Sequence, residues 1–62
     1  MSENRENQKY FEGKNCNLVL DLVENYYELS FEDLNGDTEV INTFDKEDKA
    51  MQAFNKTKEY IG

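Results

Sequence analysis

The chain has 62 residues, a formal net charge of −7, no histidine, no proline and a single cysteine. A chain of this length holds one small domain that buries only about 60% of its unfolded surface, and a lone cysteine excludes a disulfide framework to reinforce it. Without histidine the commonest general base and metal ligand is missing, and the three glycines stand apart rather than in a phosphate-cradling loop, so the expectation is a protein that is not an enzyme and holds no cofactor.

The opening MSENRENQKY is too polar for a signal peptide. Residues 1–14 have no sustained period and read as a flexible polar tail, with Tyr10 and Phe11 able to pin its end to the core of a domain spanning 15–62. No apolar run approaches the ~20 residues of a membrane span, and the expected location is the cytoplasm.

The segment CNLVLDLVE satisfies two periods. Leu18, Leu22 and Tyr26 fit a helix over residues 17–26, whereas Leu18, Leu20 and Leu22 alternate as in a strand that Val19 and Val23 also favour. The next run, YYELSFEDL, favours the strand, because Tyr27, Leu29 and Phe31 alternate with Glu28, Ser30 and Glu32. A tight turn at Glu24–Asn25 pairs Leu22 with Tyr27, Leu20 with Leu29 and Leu18 with Phe31. A two-residue turn at Asn35–Gly36 pairs Phe31 with Val40, Leu29 with Asn42 and Tyr27 with Phe44, whereas a slip of one would set Phe31 against Glu39. The two turns put the same residues of the middle strand on one face.

A helix closes the chain. Asp45 suits its N-cap, Glu47 and Asp48 its first turn, and Lys56 and Lys58 its last. Ala50, Ala53, Phe54, Thr57 and Ile61 recur at spacings of three and four and form its apolar stripe. The expected fold is α+β: a three-stranded antiparallel β-meander with one C-terminal helix packed on one face (βββα). Its expected core is Leu18, Leu20, Leu22, Tyr27, Leu29, Phe31, Val40, Phe44, Phe54 and Ile61.

Within FEDLNGDTEV, the residues Asp33, Asn35, Asp37 and Glu39 alternate like the first ligands of a calcium loop. Thr38 then occupies the position that needs glycine, and Phe44 the position that needs a bidentate glutamate, so a weak calcium-binding module ranks last and no metal ligand is assigned.

Charge is unevenly spread. From Asn15 to Asp45 there is no Lys or Arg. This argues against direct contact with nucleic acid or an anionic membrane and for attraction to a basic protein surface. The sheet face away from the helix is expected to set Asp21 opposite Glu28 and Glu32 opposite Glu39, with Val19, Ser30 and Ile41 as an apolar row between. Like charges across a ladder are unfavourable in isolation and suit a docking surface for a basic partner. The candidate binding residues are Val19, Asp21, Tyr26, Glu28, Glu32, Asp33, Asp37, Glu39 and Ile41.

No motif in the chain is diagnostic of a family. As a class, small acidic single-domain chains with one cysteine and many Asn, Lys, Glu and Tyr resemble the early or accessory proteins of phages and plasmids with AT-rich genomes. That resemblance implies a non-catalytic inhibitor, anti-CRISPR or anti-restriction in kind, that blocks the nucleic-acid-binding surface of a host protein in the host cytoplasm. The alternative is an assembly module that forms a homodimer or a subunit of a larger complex.

Overall fold

A computed structural model describes residues 4–61. Five elements follow in order: β1 (Arg5–Glu12), β2 (Cys16–Val23), β3 (Tyr26–Asp33), β4 (Thr38–Phe44) and α1 (Glu47–Ile61). The strands form one antiparallel sheet in the order β1-β2-β3-β4, and α1 lies against β2, β3 and β4. The α+β meander with a C-terminal helix is therefore present, with four strands in place of three. Among the described residues no helix is long and apolar enough to cross a membrane.

β1 falls in the segment expected as a loose tail. It pairs with β2 from Arg5–Val23 to Glu12–Asn17, and the register shifts between Asn7 and Lys9, leaving Gln8 as the extra residue of a bulge. The bulge resets the alternation, so that Phe11 packs on the core while Arg5, Asn7 and Tyr10 reach carboxylates on the other face. β1 is charged and polar along its length, as edge strands commonly are, and it shields the far more apolar β2 from being an edge. Residues 1–3 of the expected tail lie outside the described residues.

The β2–β3 hairpin has the expected turn and register, including Leu18–Phe31, Leu20–Leu29, Leu22–Tyr27 and Asp21–Glu28. Its turn holds Glu24 at φ 56°, a left-handed conformation that a side chain bearing Cβ adopts only at some cost. A helix over 17–26 is excluded by the strand there.

The β3–β4 hairpin departs from expectation at its tip. Asp33 N–H donates to the Asp37 carbonyl at 2.8 Å, Gly36 N–H donates to the Asp33 carbonyl at 3.0 Å, and Gly36 has φ 92°. This is a three-residue loop, a type I turn closed by a left-handed glycine, and not a two-residue Asn35–Gly36 turn. The extra loop residue moves the register by one, so that Glu32 pairs with Thr38, Phe31 with Glu39 and Ser30 with Val40. A bulge at Ile41 absorbs the shift, and Leu29–Asn42 and Tyr27–Phe44 pair as expected. Val40, expected in the core, is instead 52% exposed on the opposite face. Glu39, expected opposite Glu32, stands opposite Phe31, and Ile41 leaves the row with Val19 and Ser30.

Helix α1 starts one residue later than an Asp45 cap requires, since Ala50 N–H donates to the Lys46 carbonyl and Lys46 takes the cap position. Glu47 and Asp48 in its first turn and Lys58 in its last complement the helix dipole. Leu18, Leu20, Leu29, Ala50 and Phe54 form the buried core, with Phe11, Tyr27, Phe31, Phe44 and Ile61 packed around it. Leu22, expected in the core, is half-buried at its margin, and Val23 is fully buried on the opposite side of the sheet beside Arg5 and Tyr26. Lys58 sets its ammonium 5.8 Å from the centre of the Phe11 ring, tying the end of α1 to β1.

Candidate binding face of the sheet

Strand alternation puts Leu18, Leu20 and Leu29 under the helix and turns Val19, Asp21, Glu28, Ser30 and Glu32 to the other side. No described element covers that side. It carries a shallow groove of about 430 Å³ running across β2, β3 and β4, with Arg5 of β1 as the one basic residue among the described residues that line it.

Cross-strand pairing arranges the groove in three rows. The middle row is Val19–Ser30–Val40, an aliphatic floor around one hydroxyl. On one side lies the Asp21–Glu28 row, and on the other the Asn17–Glu32–Thr38 row. Val40 takes the place expected for Ile41, and Thr38 the place expected for Glu39, both through the one-residue shift at the hairpin tip.

The Asp21–Glu28 pair, expected to face out unneutralised, is held by a cation from β1. The Arg5 guanidinium donates to Glu28 Oε1 at 2.7 Å and to Asp21 Oδ2 at 3.1 Å, and the two acidic side chains are only 12% and 14% exposed. The Asn7 amide donates to the other Asp21 oxygen at 3.0 Å. Hydrogen bonding to Glu28, then to Asp21, raises the already high pKa of Arg5 further. This row is a satisfied structural site.

The Glu32 row differs. Glu32 Oε1 accepts from the Tyr10 hydroxyl and from the Asn17 amide, each at 3.2 Å, and no described cation pairs with it. Partial desolvation, and then the Glu32 carboxylate, push the Tyr10 phenol above its ordinary 10.0.

The hairpin tip adds Asp33 and Asp37. Asp33 Oδ1 accepts the N–H groups of Asn35 and Asp37, so this carboxylate caps its own turn. No group of three or more acids and cysteines among the described residues is placed to hold a metal ion. Leu34 projects from the tip at 76% exposure, where a type I turn asks for no apolar residue.

Of the residues singled out in the sequence, Val19, Asp21, Glu28 and Glu32 come together on the groove, and Asp33 and Asp37 lie at the adjoining tip. Tyr26 sits half-buried at the far end of β3, Glu39 is exposed opposite Phe31, and Ile41 occupies the β4 bulge. Arg5, Thr38, Val40 and Leu34 belong to this surface and were not among the candidates. The Asp33–Gly36 spacing of the turn was the signal for three of them. No protein-family model, curated protein or solved structure matches the chain.

Proposed function

We propose that this chain is a non-catalytic binding protein that docks the open face of its sheet and the β3–β4 tip onto a basic protein surface. The observation that carries this reading is a groove that no other described element covers, an aliphatic row beside Glu32, which pairs with no described cation, on a face to which no described lysine contributes lining. Glu32, Asp33 and Asp37 supply attraction, and Val19, Val40 and Leu34 supply apolar contact. Asp21 and Glu28 serve the fold by holding Arg5. Such a partner is a nucleic-acid-binding protein whose phosphate-binding groove the carboxylates occupy, in keeping with an inhibitor of a host enzyme made by a phage or plasmid.

The test is affinity capture from an extract of the native host, with identification by mass spectrometry. Wild-type protein is compared with the double variant Glu32→Lys/Asp37→Lys and with a control of equal charge change away from the groove, Glu6→Lys/Glu59→Lys. The expected result is a nucleic-acid-binding protein retained by wild type and control and lost from the open-face variant. Retention of the same protein by all three would contradict the proposal.

A further inference from the structure

Ser30 lies at the centre of the groove and is only 6% exposed, yet its hydroxyl makes no hydrogen bond to any described residue and is not sealed from solvent. A nearly buried hydroxyl left open toward a groove is a waiting partner for a ligand's polar group. About 7 Å along the strand, at the two-residue spacing, Glu32 offers a second one. Both of its hydrogen bonds, from Tyr10 and Asn17, end on Oε1, and Oε2 receives none from the described residues. Thr38, opposite Glu32, adds a third oxygen. Val19 and Val40 flank Ser30 on the two neighbouring strands, beside the Glu32–Thr38 row.

We infer that this stretch of the groove is a subsite for one lysine side chain of the partner, an inference that rests on the basic-surface reading above. The four-carbon stem lies along Val19 and Val40, as long cationic side chains lie on apolar surface. The ammonium ends at Glu32 Oε2, with the Ser30 and Thr38 hydroxyls as further acceptors, which suits a compact head with three donors. A guanidinium fits less well, because Glu32 is the one carboxylate of this stretch and a bidentate fork onto it would need Oε1, which is already occupied twice. The neighbouring position that does suit a guanidinium, between Asp21 and Glu28, is filled by Arg5.

The test is amide chemical-shift mapping of the isotope-labelled protein with octalysine and with octaarginine. Octalysine should shift Val19, Ser30, Glu32 and Val40 and bind roughly tenfold tighter than octaarginine. Glu32→Gln, which keeps an oxygen for Tyr10 and Asn17, should weaken octalysine roughly tenfold. Ser30→Val should weaken octalysine about threefold and leave octaarginine unchanged. Equal affinity for the two peptides, or undiminished octalysine binding in Glu32→Gln, overturns the lysine subsite while leaving the basic-surface reading standing. Absence of any response on the open face to either peptide overturns both.

Discussion

Arg5 crosses β2 to reach carboxylates on β2 and β3 that would otherwise face each other uncompensated. The guanidinium is 41% exposed and partly screened by water, whereas the two acids are largely enclosed. Removing it therefore falls between losing a surface ion pair and stranding a buried charge. Arg5→Ala is expected to cost about 1–2 kcal/mol at neutral pH. Thermal melts of the two proteins at neutral pH should show that deficit. Glu24 contributes strain of another kind. With φ at 56°, an L-residue there costs roughly 1–2 kcal/mol, so Glu24→Gly should gain about 0.5–1 kcal/mol after the entropy of glycine is subtracted, and raise the melting temperature. Tyr10 contributes to the alkaline limb. Its phenol is raised in the folded protein, so its contribution to stability is present below 10.0, the ordinary phenol value, and is lost as pH rises through the folded value. Tyr10→Phe should flatten that alkaline loss in melts recorded across the same range.

Among the elements, β4 is the less charged of the two edge strands. Its residues are exposed from Thr38 to Thr43, and Glu39 is its only charge. Such an edge invites strand addition, the route by which a homodimer would form most simply. Two features blunt it: the bulge at Ile41, and the Asn42 side chain, whose oxygen accepts the Thr43 N–H at 2.8 Å. Asn42→Val is expected to release that amide and give concentration-dependent association in light scattering without loss of thermal stability, where the wild type stays monomeric. The β2–β3 hairpin was legible in the sequence because both strands alternate without interruption across a two-residue turn. The β3–β4 tip was not, although Asp33 and Gly36 stand at the first and fourth positions that a type I turn favours. A continuous ladder favours Val40 over Glu39 opposite Phe31, so alternation selects the unbulged register and does not reveal the bulge at Ile41 that lets both pairings occur in one strand. β1 was hidden for a related reason. Its bulge at Gln8 breaks the period, and as an edge strand it has only Phe11 to bury in the core. The groove reflects both: its middle strands are legible in the sequence, while Arg5 enters it through β1, expected as a tail, and Thr38 and Val40 through the part of β4 whose register lies one residue from the expected one.

At the scale of the whole fold, the described residues span 32 × 27 × 15 Å between Cα atoms, and the thin dimension is one sheet plus one helix. Ala50, Phe54, Met51, Ala53 and Ile61 of the helix all pack on one side of the sheet, and in a core this small little remains to stabilise a second layer. Among the described residues the sheet therefore meets solvent on a face where an aliphatic row, an acid paired with no described cation and an acidic tip adjoin, while the lysines of α1 sit on the other side. Attraction to a basic surface through that face is steered by charge and falls with added salt. The most direct measurement is the affinity of the captured host protein for wild type, Glu32→Lys/Asp37→Lys and Glu6→Lys/Glu59→Lys, titrated at rising ionic strength. The expected result is a loss of roughly a hundredfold for the open-face variant and of less than about threefold for the control, with wild-type binding weakening steeply with salt. Equal losses in the two variants would reduce the interaction to net charge, and no loss in either would place the binding surface elsewhere on the molecule; both results contradict a docking role for the open face.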